Sequence, residues 1–303
     1  MTLTRAVASI IAQYNRNLFY RLGIPMNAQT TVPLLRQNDG REIPQIGLGI
    51  YGPDDSGTAD AVAAAIEIGY RSIDTAALYQ NEVGVGDGIR RSQIDRAELY
   101  VTTKLADDSH GYDSALRAFD TSLDKLGLDY VDLYLIHWPL PGVDKYVDTW
   151  RAFEKLQRDG RAKSIGVSNF QPAHLQRLFD ETDIRPVLNQ IELHPGLPNV
   201  AVREFNTANG ILTEAWSPLG RGRVFGNAAL EGVAQKHGKS VAQVVIRWQV
   251  EQGNVVIPKS ITPERLAENI DVYDFSLDDE DRAAIATLEN GQRTGDDPDT
   301  YNG

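Results

Sequence analysis

Short apolar or β-branched runs recur along most of this chain, each followed by a stretch of helical period, and that alternation restricts the fold more than any other feature. The runs are QIGLGI, YRSIDT, LYVTTKL, VDLYLIHW, AKSIGVSN, VLNQIE, ILTEAWS and NVVIPKS. Between them lie TADAVAAAIEIG, NEVGVGDGIRRS, YDSALRAFDTSLDKLG, VDTWRAFEKLQRDG, PAHLQRLFDE, NVAVREFNTANG and SVAQVVIRWQVEQG. Strands in strict alternation with helices pair in parallel through right-handed crossovers. Eight such units in about 250 residues have the size of a closed (β/α)8 barrel, the TIM barrel. Ahead of the first run, TVPLLR and REIPQIGLG flank the turn formers Asn38, Asp39 and Gly40, which predicts a β-hairpin leading into it. No composition shift marks a second domain, so residues 31–303 read as one barrel and residues 1–30 as an N-terminal extension.

The extension differs from the rest. Up to Asp39 the chain carries Arg5, Arg16, Arg21 and Arg36 and no acidic residue, within a protein of net charge −12. Three readings stay open for it: a weak amphipathic transit or membrane-surface helix with Val7, Ile10, Ile11, Tyr14 and Leu18 on one face, a packing helix, or an upstream extension ahead of a start at Met26. No run is long enough to span a bilayer. The acidic balance argues against nucleic acid and anionic membrane as main partners, because both need a basic face. The chain has no Cys, which excludes disulfides, thiolate catalysis and Cys-based zinc sites and is compatible with the cytoplasm. His110, His174 and His237 stand isolated, so no metal site is expected. No coiled-coil seam argues for an oligomer, and a monomer is expected.

One motif points elsewhere. Gly47, Gly49 and Gly52 spell G-x-G-x-x-G after an apolar run, and Asp74 follows at the distance a dinucleotide fingerprint requires. That fingerprint needs its third glycine in the first turn of a helix, where the pyrophosphate meets free N–H groups. Here Pro53, Asp54, Asp55, Ser56 and Gly57 intervene before a helical period begins near Thr58, and acidic side chains fall where the phosphates would sit. The glycines are therefore read as serving a tight strand end and close backbone packing.

In a parallel barrel the C-terminal ends of the strands converge on one face. Those ends carry Tyr51, Asp74, Lys104, His137 with Trp138, Ser168 with Asn169, Gln190, Trp216 with Ser217, and Lys259 with Ser260. Turn chemistry explains Asp, Asn and Ser there, but not Lys, His and Trp. Tyr79 lies five residues beyond Asp74. A lysine ammonium beside a tyrosine lowers the phenol pKa, a carboxylate beside the lysine keeps it charged, and a neutral histidine can bind a carbonyl oxygen. Asp74, Tyr79, Lys104 and His137 together suit proton delivery to an oxygen whose carbon receives a hydride. Singly, each has a plainer reading as helix cap, packing residue, solvated strand end or satisfied buried histidine.

The segments GYRSIDTAALYQNE, VTTKL, VDLYLIHWP, SIGVSNF, NQIELHP, SPLG and IPKSITPERLAENIDVYDF closely resemble the aldo-keto reductase superfamily, in particular the bacterial branch typified by 2,5-diketo-D-gluconic acid reductases. The resemblance runs in order over roughly residues 31–295. It implies a (β/α)8 fold, NADPH bound without a Rossmann domain, and reduction of aldehydes or ketones, 2,5-diketo-D-gluconate and other dicarbonyls among them. It implies Asp74, Tyr79, Lys104 and His137 as the catalytic tetrad, with Tyr79 the general acid. Trp216 resembles the aromatic that stacks on the nicotinamide, and Ser168, Asn169 and Gln190 the groups on its carboxamide, with Ser217 and Leu219 of SPLG beside them. Lys259, Ser260 and Arg265 resemble a clamp on the adenosine 2′-phosphate, Glu268 and Asn269 the adenine contacts. Thr262 reads as an N-cap with Pro263 at the first helical position, leaving N–H groups free for a phosphate. Tyr51 and Trp138 are expected as aromatic walls for a small-molecule carbonyl substrate. Trp150 and Trp248 are expected in helix packing, and His194 in a structural role. The polar tail NGQRTGDDPDTYNG implies a modest C-terminal loop. A barrel that binds NADPH as a sensor without turnover is the competing reading.

Overall fold

The structure is a computed structural model that describes residues 31–303, so the expectations for residues 1–30 lie outside the described residues. Strands β1 (Leu34–Arg36) and β2 (Glu42–Pro44) form the expected antiparallel hairpin, with Leu35 opposite Ile43. Its turn closes through the Gly40 N–H donating to the Gln37 carbonyl at 3.1 Å, and Gly40 has a φ of 87°, a conformation that favours glycine. Eight parallel strands follow in chain order: β3 (Leu48–Gly49), β4 (Ser72–Asp74), β5 (Tyr100–Leu105), β6 (Val131–Ile136), β7 (Ala162–Ser168), β8 (Leu188–Glu192), β9 (Leu212–Trp216) and β10 (Val255–Val256). The sheet curls so that its ends are bridged to each other: Gly47 N–H donates to Val256 O and Val256 N–H to Gln45 O, both at 2.9 Å, with further parallel bridges at Ile46 to Val256 and Gly49 to Lys259.

This curl accounts for the glycine motif. A Cβ on Gly49 would stand 2.7 Å from the Ile257 carbonyl oxygen, and one on Gly47 2.8 Å from Ser72 Oγ. Any side chain at either position would push the first strand off its neighbours. Gly52 has a φ of 99° in the turn that follows. The glycines thus serve backbone approach. The helix after them starts at Asp55, earlier than the sequence suggests, because the Asp54 side chain caps it by accepting from Gly57 N–H at 2.8 Å.

The helices are α1 (Asp55–Ile68), α2 (Glu82–Ser92), α3 (Tyr112–Leu126), α4 (Tyr146–Arg158), α5 (Pro172–Glu181), α6 (Val200–Ala208), α7 (Ala228–His237), α8 (Val241–Glu251), α9 (Pro263–Ile270) and α10 (Asp279–Ala286). Strict alternation fails twice, between β9 and β10 and again after β10, where α9 and α10 follow one another. Both α7 and α8 lie between β9 and β10, and α7 was not expected. With α10 they enclose a second apolar cluster that includes Leu230, Val244, Leu277 and Ile285, so the extra helix is held by its own small core.

The strands' period of two decides what faces inward. On β6, Tyr134 and Ile136 join the large cluster shared with the helices, while Leu133 and Leu135 join the inner cluster with Ile43 of the hairpin and Tyr100, Val187, Leu188 and Val255. Tyr134 packs between Phe119 and Phe153 at ring distances of 4.7 and 4.3 Å. Trp150 is wholly buried on α4, its indole donating to the Ile184 carbonyl at 2.8 Å, and Trp248 is partly buried against the second cluster. The hairpin covers the N-terminal ends of the strands: Gln37 donates to Tyr100 Oη at 2.8 Å, and Asp39 accepts from Ser164 at 2.7 Å. The C-terminal ends of the strands, which carry the polar residues singled out above, lie at the opposite end.

Candidate active site

The same parity puts a polar layer above the apolar inner cluster. Lys104 shares a face with Tyr100 on β5, Gln190 with Leu188 on β8, and Glu214 with Leu212 on β9. Lys104 is wholly buried and Asp74 nearly so. The lysine ammonium is ion-paired with Asp74 Oδ1 and also donates to the Thr75 carbonyl at 2.8 Å. Gln190 Nε2 donates to Asp74 Oδ2 at 2.9 Å. Tyr79 ends a single 3₁₀ turn, Ala77–Tyr79, that follows β4, and its ring centre lies 5.1 Å from Lys104 Nζ. His137 meets that ring edge-on at 5.6 Å and Tyr51 does so at 5.0 Å. The four residues expected to act together therefore lie together.

Their electrostatics differ in part from the sequence expectation. Burial lifts the Asp74 carboxyl above its ordinary range, against the pull of Lys104 and the Gln190 hydrogen bond. Burial opposes the Lys104 charge, but the Asp74 carboxylate outweighs it and the lysine pKa ends above its ordinary value. For Tyr79, Lys104 was expected to bring the phenol down. Burial instead outweighs the ammonium, Asp74 adds to the rise, and the Tyr79 pKa lies above its ordinary value. The lysine field is weakened at Tyr79 because Asp74 sits against the same ammonium. His137 is held well below its ordinary value by burial and then by Lys104, so it is neutral at neutral pH, and its Nδ1 is buried with no partner among the described residues.

A second group of predicted residues ties four strand ends together, those of β6, β7, β8 and β9. Trp216 Nε1 donates to Asn169 Oδ1 at 2.8 Å, Asn169 Nδ2 donates to the His137 carbonyl at 2.9 Å and to Ser168 Oγ at 3.1 Å, and Ser168 Oγ donates to the Gln190 carbonyl at 3.0 Å. Asn169 and Ser217 each follow a strand end in the left-handed region, with φ of 64° and 48°. Such strain in non-glycine residues persists only where the surroundings enforce it. The Ser217 carbonyl accepts from Gly220 N–H at 2.8 Å, and Leu219 leans on the second apolar cluster.

Around α9 the predicted residues form a separate cluster. Pro263 opens the helix as expected, but the Thr262 side chain makes no capping bond; Ser260 Oγ accepts the Thr262 N–H at 3.1 Å instead. Lys259 and Arg265 are exposed and make no ion pair among the described residues. Glu268 is half-buried and Asn269 buried.

The C-terminal tail departs from the sequence reading. It is short, but it is fastened at both ends. Glu192 accepts from the Thr294 N–H at 2.6 Å, from the Thr294 hydroxyl, and from the Gly295 N–H at 3.2 Å, while His194 Nε2 sits 3.2 Å from the same carboxylate. Farther on, Tyr301 packs on Trp138 at 4.7 Å and donates to Asp107 at 2.9 Å, and Asn302 Oδ1 accepts from Gly142 N–H at 2.6 Å. The sequence reading singled out neither Glu192 nor Tyr301, the two residues that fasten the tail. The ELHP motif carried the only local signal for the first, and nothing local marked the second.

Comparison with known proteins agrees with the architecture. The Aldo/keto reductase family pattern matches residues 45–290. A methylglyoxal reductase of Escherichia coli strain K12 is 48% identical over 272 residues, covering 89% of this chain and 98% of that protein. A glyoxal reductase of Bacillus subtilis strain 168 is 48% identical over 277 residues, covering 91% and 99%. Among solved structures, a mutant of Gox0644 in complex with NADPH superposes with a TM-score of 0.86 at 48% identity, covering 89% of this chain and 99% of that one.

Proposed function

The chain belongs to the aldo/keto reductase family and is an oxidoreductase, and from that premise we propose that it reduces small 1,2-dicarbonyl compounds of the glyoxal class with NADPH, Tyr79 acting as the acid. The observation that carries this reading is the convergence of Asp74, Lys104, Tyr79 and His137 on one polar layer. NADPH, when bound, supplies a hydride to the substrate's carbonyl carbon. Tyr79 gives its proton to the carbonyl oxygen, so the product is an alcohol and the charge left on the phenolate rests against Lys104. Its raised pKa keeps that proton in place at neutral pH. Neutral His137 orients the same oxygen. Asp74 keeps Lys104 charged.

The residues present fit the cofactor. Among the described residues Gln190 Oε1 accepts no hydrogen bond, and Lys259 and Arg265 make no ion pair beside a helix N-terminus. A phosphate on the ribose would find charge there that a free hydroxyl would leave unused, which favours NADPH over NADH. We further read the bridged eight-stranded sheet as the closed (β/α)8 barrel, and the tail with Tyr51, Trp138 and Tyr301 as walls that suit a small substrate. The glyoxal class follows from the relatives named methylglyoxal and glyoxal reductase.

The test is the loss of NADPH absorbance with methylglyoxal, glyoxal, 2,5-diketo-D-gluconate and aromatic aldehydes. Fastest turnover on the first two supports the reading. NADPH binding without oxidation by any of them would defeat it.

A further inference from the structure

Two buried carboxyl groups share one amide beneath the site. Asp74 Oδ2 and Glu214 Oε2 lie 2.9 and 2.7 Å from Gln190 Nε2. A primary amide nitrogen carries two hydrogens, so both are committed. Glu214 is only 1% exposed, stands opposite Gln190 in the β8 to β9 register, and plays no part in the proton and hydride steps above. Burying a carboxyl group is unfavourable unless it is hydrogen-bonded.

Geometry gives it a purpose. One hydrogen bond from the Gln190 amide leaves its plane free to turn about the line to Asp74; two in-plane bonds fix the plane and hence the direction of the carbonyl oxygen. That oxygen is the open acceptor of its neighbourhood. Ser168 gives its proton to the Gln190 carbonyl, and the Asn169 amide is engaged by Trp216 through its oxygen and by His137 and Ser168 through its nitrogen. Gln190 Oε1 has no partner among the described residues, yet it is not one of the atoms sealed away without one.

We propose that Glu214 is a positioning residue: by taking the second amide hydrogen of Gln190 it aims Gln190 Oε1 at an N–H donor of the bound cofactor, the carboxamide of the nicotinamide. The inference rests on the NADPH reading above. The charged or titratable groups whose fields reach Glu214 are Asp74 on β4 and Lys104 and Tyr100 on β5. Burial first, then the Asp74 charge, lift the Glu214 carboxyl to about 8. That upward shift favours the protonated form, whose carbonyl oxygen accepts from Gln190 without a second negative charge beside Asp74.

The experiment is a cycle of variant against cofactor, read as binding by quenching of tryptophan fluorescence. NADPH is compared with its reduced 3-acetylpyridine analogue, which replaces the carboxamide NH₂ with a methyl group. The wild-type protein should bind the analogue about tenfold more weakly, the value of one good hydrogen bond. Glu214→Leu should shrink that ratio to within about threefold, because an unaimed acceptor gains little from the donor. Glu214→Gln, whose carbonyl can accept the same hydrogen, should restore it. Equal ratios in the wild type and Glu214→Leu, or a Glu214→Gln variant that behaves like Glu214→Leu, would overturn the proposal. Wild-type protein that binds no NADPH would instead defeat the cofactor reading itself. Glu214→Met serves the same test if thermal unfolding shows that the leucine variant is not folded.

Discussion

Asp74 and Glu192 are both carboxylates buried at strand ends of one sheet, and they are pushed in opposite directions. Burial raises both, and what differs is the opposition. Asp74 faces Lys104 and one amide hydrogen, and its pKa stays above the ordinary range. Glu192 is surrounded by donors from His194, Thr294 and Gly295, and these outweigh burial to hold it at about 2. Fixed N–H and O–H dipoles aimed at a carboxylate stabilise its charge directly. A buried ion pair in a dry layer gives back much of its attraction in lost hydration. The first arrangement suits fastening a tail; the second suits the proton-transfer role proposed for the layer.

The largest effect expected separates chemistry from structure. Tyr79→Phe should cut turnover of methylglyoxal by a factor of about 100 to 10,000, the range for losing a positioned acid, while NADPH still quenches tryptophan fluorescence. Retained turnover would remove Tyr79 as the acid and leave the Asp74 layer with no catalytic meaning.

Next, Lys104→Met strands Asp74 as an unpaired buried charge and should cost about 3–5 kcal/mol in urea unfolding. Adding Asp74→Asn should recover much of that loss. If the double variant is as unstable as the single, Asp74 is not held by the ion pair and the contrast with Glu192 fails.

Glu192→Gln keeps the shape and removes the charge, for an expected loss of about 1–3 kcal/mol and faster proteolysis of the tail. Its pH signature has a definite sign. A carboxyl held at about 2 in the folded chain, against 4.5 ordinarily, contributes stability that is complete above the ordinary value and disappears as pH falls toward about 2. Wild-type stability should therefore fall through that window more steeply than that of Glu192→Gln. Parallel acid curves would show that the tail contacts do not hold the charge.

Tyr301→Phe is the smallest change. Losing one hydrogen bond to Asp107 should cost about 0.5–1.5 kcal/mol and raise KM for methylglyoxal while leaving kcat nearly unchanged. An unaltered KM would separate the tail from the substrate.

Legibility in the sequence followed the range of the interactions. The hairpin turn and each of the eight strand runs were readable because turn residues and apolar alternation act over a few positions. The Rossmann reading was rejected partly on a late helix start near Thr58, which the structure moves to Asp55; the ground that stands is that Asp54 and Asp55 place carboxylates at that helix N-terminus, where a pyrophosphate would have to sit. Helix α7 was missed because a one-helix-per-strand pattern has no place for it, and part of the small core that holds it comes from α10, some forty residues further along the chain. Gly49 was readable as a small residue, but the Ile257 carbonyl that forbids a side chain lies at the far edge of the sheet. The direction of the Tyr79 shift was misread because proximity to Lys104 can be guessed from a pattern, whereas burial cannot.

By itself the sequence determined the order of the strands and the side of each on which its polar residues stand, because both follow from short periods along a chain. It also determined, through resemblance, which residues to look for. Tertiary structure alone decided that Gln190 bridges Asp74 and Glu214, that Glu192 grips a segment more than a hundred positions away, and that Tyr301 lies on Trp138. Those contacts join strands and a tail distant in the chain, and their strength depends on burial and on the aim of individual dipoles, quantities that exist only once the sheet has curled and the chain has closed over it.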